Sequence, residues 1–264
     1  MAGRKALETD ADEGSGDDAA TDGTRYEVVV EDRGKVRVVL LDRAKKLNAF
    51  NAEGYRKLKT ALDEAAEDES VAVCVITGSG RAFSAGVDLD EMSRPGGPAE
   101  LGRDFDPLLE RLATFPKPLI GAVNGVAVGF GATLLLHCDL VVVDEKAEIR
   151  MPFVALGTCA EAASSWLLPQ RVGRQNATWM MLSGAPLSAS EAVKVGFAFT
   201  EAPEGTSVEE SLALAEQLAV HEVAALVANK ALLRDGFADQ IAVVWEREKK
   251  AMLSIAQELG SIGR

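Results

Sequence analysis

Three short apolar runs limit what this chain can fold into more than any other feature. Residues 71–77, 119–124 and 140–144 are nearly unbroken stretches of Val, Ile, Leu and Ala. A strand with one wet face alternates apolar and polar residues, so continuous runs of this length read as strands buried on both faces. Between the second and third lies a tract of small residues and leucines, 130–137, that reads as a helix. Alternation of buried strands and helices implies an α/β layout with crossover connections.

The flanking sequence extends that pattern. Residues 26–32 and 36–42 are rich in Val and Leu and flank Arg33-Gly34, which suits a hairpin. Asn51 can cap a helix whose apolar positions Tyr55, Leu58, Leu62 and Ala65 follow helical spacing. Beyond Glu204 the periodicity becomes helical over 207–220, 222–235 and a long stretch through Trp245 to Leu259. The expected organisation is a disordered acidic tail over 1–24, an α/β core over 25–205 and a helical section over 206–264. The tail has no apolar face to bury, which is the composition of a solvated segment.

Charge and residue usage exclude several functions. A net charge of −13 argues against a nucleic-acid surface, which needs clustered Lys and Arg. It leaves room for a small anionic ligand held by a few cations and backbone amides. The three cysteines, Cys74, Cys138 and Cys159, lack CxxC spacing and read as reduced thiols of a cytoplasmic protein. The N-terminus is polar, unlike a signal peptide, and no apolar run is long enough to span a membrane. His137 and His221 are the only histidines, too few for a histidine-rich metal site, and His137 in its leucine run reads as a core residue. Gly78–Gly80 and Gly129–Gly131 each contain G-x-G, yet neither completes G-x-G-x-x-G, and a G-x-S-x-G elbow is missing. Taken singly, these glycines read as turns and tight packing.

Three segments in order carry more. AFSAGVDL at 82–89, AVNGVAVGFGATLLLHCDLVVV at 122–143 and RAKKLNAFN at 43–51 together resemble the signatures of the crotonase, or enoyl-CoA hydratase/isomerase, superfamily. The resemblance runs from about Tyr26 to Thr200 and less sharply through the C-terminal helices. It implies an α/β crotonase (ClpP/crotonase-like) ββα spiral core with a C-terminal helical section, acting on an acyl-CoA thioester. It further implies a homotrimer or a hexamer of paired trimers, with the last helices covering the active site or a neighbouring subunit.

The chemistry of such a family is enolate stabilisation. Taking an α-proton from a thioester puts charge on the carbonyl oxygen, which preorganised N–H donors must hold, one of them at a helix N-terminus. By the family pattern these donors are the backbone amides of Val87 and Phe130. Small neighbours Ala85, Gly86, Gly129 and Gly131 let the ligand approach the backbone. Asp88 reads as a hydrogen-bond acceptor that holds the turn, and Lys45 and Lys46 are candidates to meet the CoA phosphates.

The expected reaction follows from which acids are present. The family's hydratases use two glutamates, whose places are taken here by Thr133 and Phe153, and neither side chain is a general base at neutral pH. Phe153 is counted with the substrate-binding residues instead. Glu161, in LGTCAEAASSWLLPQRVG at 156–173, falls where the peroxisomal-type Δ3,Δ2-enoyl-CoA isomerases carry their single glutamate. That subgroup usually has glycine next, where this chain has Ala162. The expected function is therefore 3-enoyl- to 2-enoyl-CoA isomerisation with Glu161 shuttling the proton, needing no metal or redox cofactor. Two alternatives remain: a ring epoxyacyl-CoA isomerase of the same superfamily, and a non-catalytic acyl-CoA-binding protein.

Overall fold

The computed structural model describes residues 25–234 and 237–262. The acidic segment 1–24, read above as a disordered tail, lies outside the described residues. The chain enters through a hairpin, β1 (Glu27–Arg33) and β2 (Val36–Asp42), paired antiparallel as the Arg33-Gly34 turn suggested. Asn51 then accepts the Gly54 amide at 2.8 Å and starts α1 (Ala52–Glu67). Tyr55, Leu58, Leu62 and Ala65 form its buried face.

The remaining strands separate into two sheets. β3 (Val73–Gly78) belongs to the larger and β4 (Ala82–Ser84) to the smaller. After α2 (Leu89–Ser93) and α3 (Gly97–Thr114) the chain repeats the step with β5 (Leu119–Val123) and β6 (Val126–Val128). After α4 (Phe130–Leu134) it does so again with β7 (Leu140–Asp144) and β8 (Glu148–Arg150). The expected helix over 130–137 thus ends early, and Leu135–His137 closes as a tight 3-10 turn. Helices α5 (Ser164–Val172) and α6 (Arg174–Ser183), strand β9 (Leu187–Ser188), helix α7 (Ala189–Lys194) and strand β10 (Thr200–Ala202) complete the layers. The larger sheet has the order β1-β2-β3-β5-β7-β10, parallel from β2 onward. The smaller has the order β4-β6-β8-β9, with only β9 antiparallel. Each strand pair followed by a helix is one turn of a ββα spiral.

Both faces of the large sheet are covered, which is why its central strands read as continuous apolar runs. One face meets α1, α3 and α4 through Ile76, Leu58, Leu108 and Leu134. The other meets α8 (Ser207–Ala219) through Leu212 and Ala215 against Val36, Val73 and Val142. The C-terminal helices are therefore partly a wall of the core. α9 (Val223–Arg234) and α10 (Phe237–Ile262) follow, and α10 crosses back over α3 and α5. Among the described residues, no single helix is long and apolar enough to cross a membrane.

Sequence reading left α3 unassigned. It buries Leu101, Phe105, Leu108, Leu109 and Leu112 despite carrying Pro107, which removes one backbone donor. Burial of one apolar face offsets that local cost. Around it Phe50, Tyr55, Phe105, Phe130 and Trp245 meet with ring centroids 4.9–5.4 Å apart, joining α1, α3, α4 and α10.

Candidate active site

The ends of two adjacent parallel strands, β4 and β6, bring the glycine-rich segments together. Gly86 has φ +89°, and a Cβ there would stand 2.6 Å from the Val128 carbonyl oxygen and 3.3 Å from the Phe130 nitrogen. Gly129 has φ 54° and ψ −121°, a conformation closed to L side chains, and it delivers the chain into α4. A Cβ on Gly131 would stand 2.3 Å from the Ser84 carbonyl oxygen. These glycines therefore allow backbone to touch backbone where the two turns meet. Phe130 occupies the first helical position, so its amide has no acceptor within α4. Neither the Val87 nor the Phe130 amide donates to another described residue. The Phe130 ring itself points into the aromatic cluster, so the backbone alone remains for ligand chemistry.

The early motif 43–51 holds this turn. The Phe50 amide donates to Gly86 O at 2.6 Å, and the Ala85 and Asp88 amides donate to Leu47 O and Phe50 O. Asn48 donates to Ser79 O and Ala82 O and accepts the Arg43 amide. Asp88 accepts from Arg43 Nη1 at 2.7 Å and from the amides of Asp90 and Glu91, capping α2. Burial alone would raise the Asp88 carboxyl. The Arg43 contact and the two amides outweigh it and hold the group below the usual carboxylate range. Asp88 is thus an ionised anchor, as its sequence context suggested.

Glu161 reaches the site from the loop between β8 and α5. A cavity of about 470 Å³ is lined by Glu161 together with Tyr55, Val87, Met92, Leu101, Phe105, Trp245 and Met252, among others. The carboxylate is enclosed by protein and open toward that cavity. Burial first, and the charge of Glu248 second, push its pKa up to about 8. The loop turns sharply after it, with Ala162 and Ala163 at φ 55° and 59°, both fully buried. Left-handed backbone costs an L residue roughly 1–2 kcal/mol, so neighbours must enforce it. His137 Nε2 lies 3.0 Å from Ala162 O, and burial lowers its pKa to about 4. A neutral ring facing a carbonyl carries its proton on Nε2 and donates it. This histidine, read from the sequence as a core residue, is half-buried and holds the Ala162 carbonyl.

Other sequence candidates fall elsewhere. Thr133 is fully buried, and Phe153 is packed into the core at the head of a 3-10 turn; neither lines the cavity. Lys45 and Lys46 stand exposed on the turn 44–46, with the Lys46 ammonium 2.7 Å from Asp90. Three features escaped sequence reading: Tyr55 as a cavity wall, the Asp106–Lys249 pair at 3.0 Å on the cavity rim, and the buried Glu248. Helical periodicity had marked Tyr55 as core, and nothing in sequence distinguishes Glu248 from the acids around it.

Fold and site together define an α/β protein that sets the Glu161 carboxylate and the Val87 turn on one apolar cavity, with the Phe130 amide unengaged where the two glycine-rich turns meet. The chain belongs to the enoyl-CoA hydratase/isomerase family, whose model matches residues 31–260. It is 37% identical to the 2,3-dehydroadipyl-CoA hydratase of Escherichia coli K12 over 88% of this chain and 92% of that one. It is 39% identical to the 1,2-epoxyphenylacetyl-CoA isomerase of the same organism over 70% of this chain and 72% of that one. An enoyl-CoA hydratase/isomerase structure from Pseudoalteromonas atlantica T6c superimposes with a TM-score of 0.80 at 32% identity, covering 86% of this chain and 90% of the other. The spiral fold and the acyl-CoA class of the family agree with the sequence reading. The relatives' names divide between hydratase and isomerase, so similarity defines the class and leaves the reaction to the site.

Proposed function

We propose that this protein shifts the double bond of a 3-enoyl-CoA to the 2-position, with Glu161 as the proton shuttle. The observation that carries the reading is the Glu161 carboxylate in the cavity that also contains the Val87 turn, the other lining acid, Asp106, being paired with Lys249 at the rim. In the ionised form Glu161 takes a proton from C2 of the thioester. The electron pair delocalises into a dienolate whose oxygen accepts from the Val87 and Phe130 amides. Glu161 then returns the same proton at C4, leaving C2 and C3 doubly bonded and the carboxylate regenerated. No water is added and nothing is oxidised. A pKa near 8 suits both halves, because the group must accept and release a proton near neutral pH.

Hydration is disfavoured by the burial of Thr133 and Phe153 away from the cavity. A ring epoxyacyl-CoA isomerase is the second reading, supported by the relative that bears that activity in its name. It needs an acid at the same place, and Glu161 has the longer reach of the two carboxylic residues. The test is turnover on 3-hexenoyl-CoA, crotonyl-CoA and a ring-epoxide CoA ester side by side. Conversion of the first to the conjugated enoyl thioester, with crotonyl-CoA left intact, is the expected result. Rapid hydration of crotonyl-CoA overturns the reading, epoxide turnover alone establishes the second, and binding without any turnover indicates a binding protein.

A further inference from the structure

We propose that Glu248 is a positioning residue for Glu161, an inference that rests on the reading of Glu161 as the proton shuttle. Its carboxylate fixes the left-handed turn that aims Glu161 into the cavity. Glu248 comes from the middle of α10, far along the chain, and is 5% exposed. Its Oε2 accepts the Ala163 amide at 2.8 Å and its Oε1 accepts the Ser165 amide at 2.9 Å. These amides belong to the first turn of α5, where unsatisfied N–H groups and the helix dipole favour an anion.

The turn needs such a clamp because its residues are unsuited to it. Two consecutive alanines at positive φ hold together only when neighbours over-determine them. Three contacts do so on opposite sides: Glu248 grips the Ala163 and Ser165 amides, His137 Nε2 holds Ala162 O, and the Ser164 amide returns to Glu161 O at 2.9 Å. A freed Ala163 relaxes toward negative φ, and the peptide rotation moves Glu161 two residues away. Glu248 does not line the cavity, so it acts through the turn and not on the substrate.

Glu248 has a second effect on the same group. Its charge raises the Glu161 pKa. The other titratable groups near Glu161 are Tyr55 from α1 and Cys159 from its own loop, both pushed upward by burial and therefore neutral. Asp106 and Lys249 on the cavity rim pair with each other. Removing the Glu248 charge should therefore move the Glu161 titration downward.

The test compares Glu248→Gln, Glu248→Gln/Ala163→Gly and Glu161→Gln in the full chain, by kcat, KM and pH profile on 3-hexenoyl-CoA. Glutamine keeps one acceptor oxygen and turns an amide donor against the second N–H. The expected result is kcat lower by roughly 10- to 100-fold, the scale of a small misplacement of a reacting group, with KM nearly unchanged. The acid limb of the profile should also move to lower pH. The double variant keeps the turn accessible without strain if the single variant folds poorly, and it should show the same kcat loss because glycine permits the turn without fixing it. Wild-type kcat with an unmoved acid limb in either variant, or a loss confined to KM, overturns the role of Glu248. Wild-type turnover in Glu161→Gln instead overturns the proton-shuttle reading, so the two failures are distinguishable.

Discussion

Burial disfavours charge on both Glu161 and Glu248, and the charge of Glu248 raises the Glu161 pKa further. The folded pKa of Glu161 lies near 8 against an ordinary value of 4.5. Between those pH values the folded protein keeps a proton that the unfolded chain has released, so this group's stabilisation is lost as pH rises through the window. Glu161→Gln cannot ionise. It should therefore melt several degrees above wild type at pH 9 and at nearly the same temperature at pH 4.5, as calorimetry across pH can check. The same substitution should cut isomerase kcat by about 10²–10⁴ while leaving CoA-ester affinity intact, because glutamine cannot accept a carbon-bound proton. In wild type, kcat/KM should rise about tenfold per pH unit below pH 8 and level off above it, since only the ionised form is a base. At this scale the acid itself was legible in the sequence, because its neighbours on the chain mark it. The environment that tunes it was not, because Glu248 is supplied by a helix far along the chain, 85 positions beyond the Ala163 amide it holds.

Among the elements, the paired strand ends of β4 and β6 and the last helix divide the work. Gly86→Ala would force a Cβ to within 2.6 Å of the Val128 carbonyl at φ +89°. We expect it to push the two turns apart, with a loss in kcat of about 10²–10³, the range for one oxyanion donor. Denaturation should report a stability cost of roughly 1–3 kcal/mol. α10 contributes Trp245, whose ring lies 5.1 Å from Phe105 and whose Nε1 donates to Asp106 at 2.8 Å. Trp245→Ala should raise KM for medium-chain enoyl thioesters by roughly tenfold, the worth of a partly lost apolar contact, with kcat changed far less. An equal fall in kcat would mean that Trp245 also orients the reacting carbons. The hairpin, α1, the central strands and α8 were readable from apolar period and capping. α3 was not, because Pro107 breaks the local helix signal that packing against α1 and α10 then overrides.

For the whole molecule, the exposed apolar side chains bear on assembly. Leu232, Leu233 and Val243 are 74%, 81% and 57% exposed. Val244 and Trp245, which follow Val243 directly, are respectively buried and on the cavity wall, so they do not belong to that surface. We propose a homotrimer or a pair of trimers; light scattering should give a multiple of three times the 27.9 kDa chain mass, and a stable monomer at micromolar concentration would refute it. Leu232→Lys with Leu233→Lys should lower the mass toward a single chain if these residues lie between subunits.

What the sequence by itself determined is the α/β spiral, the two glycine-rich turns and Glu161 as the candidate acid. Continuous apolar runs have one good solution, a sheet covered on both faces, and glycines at backbone crossings admit no other residue. What only the tertiary structure decided is how that acid is aimed and tuned. Its cavity is assembled from α1, α3 and α10, and its turn is clamped by His137 and Glu248, none of which is adjacent to it in the chain. Local pattern carries information about period and turn chemistry. The strain at Ala162 and Ala163 and the raised pKa of Glu161 arise from groups brought together by folding, which no local pattern contains.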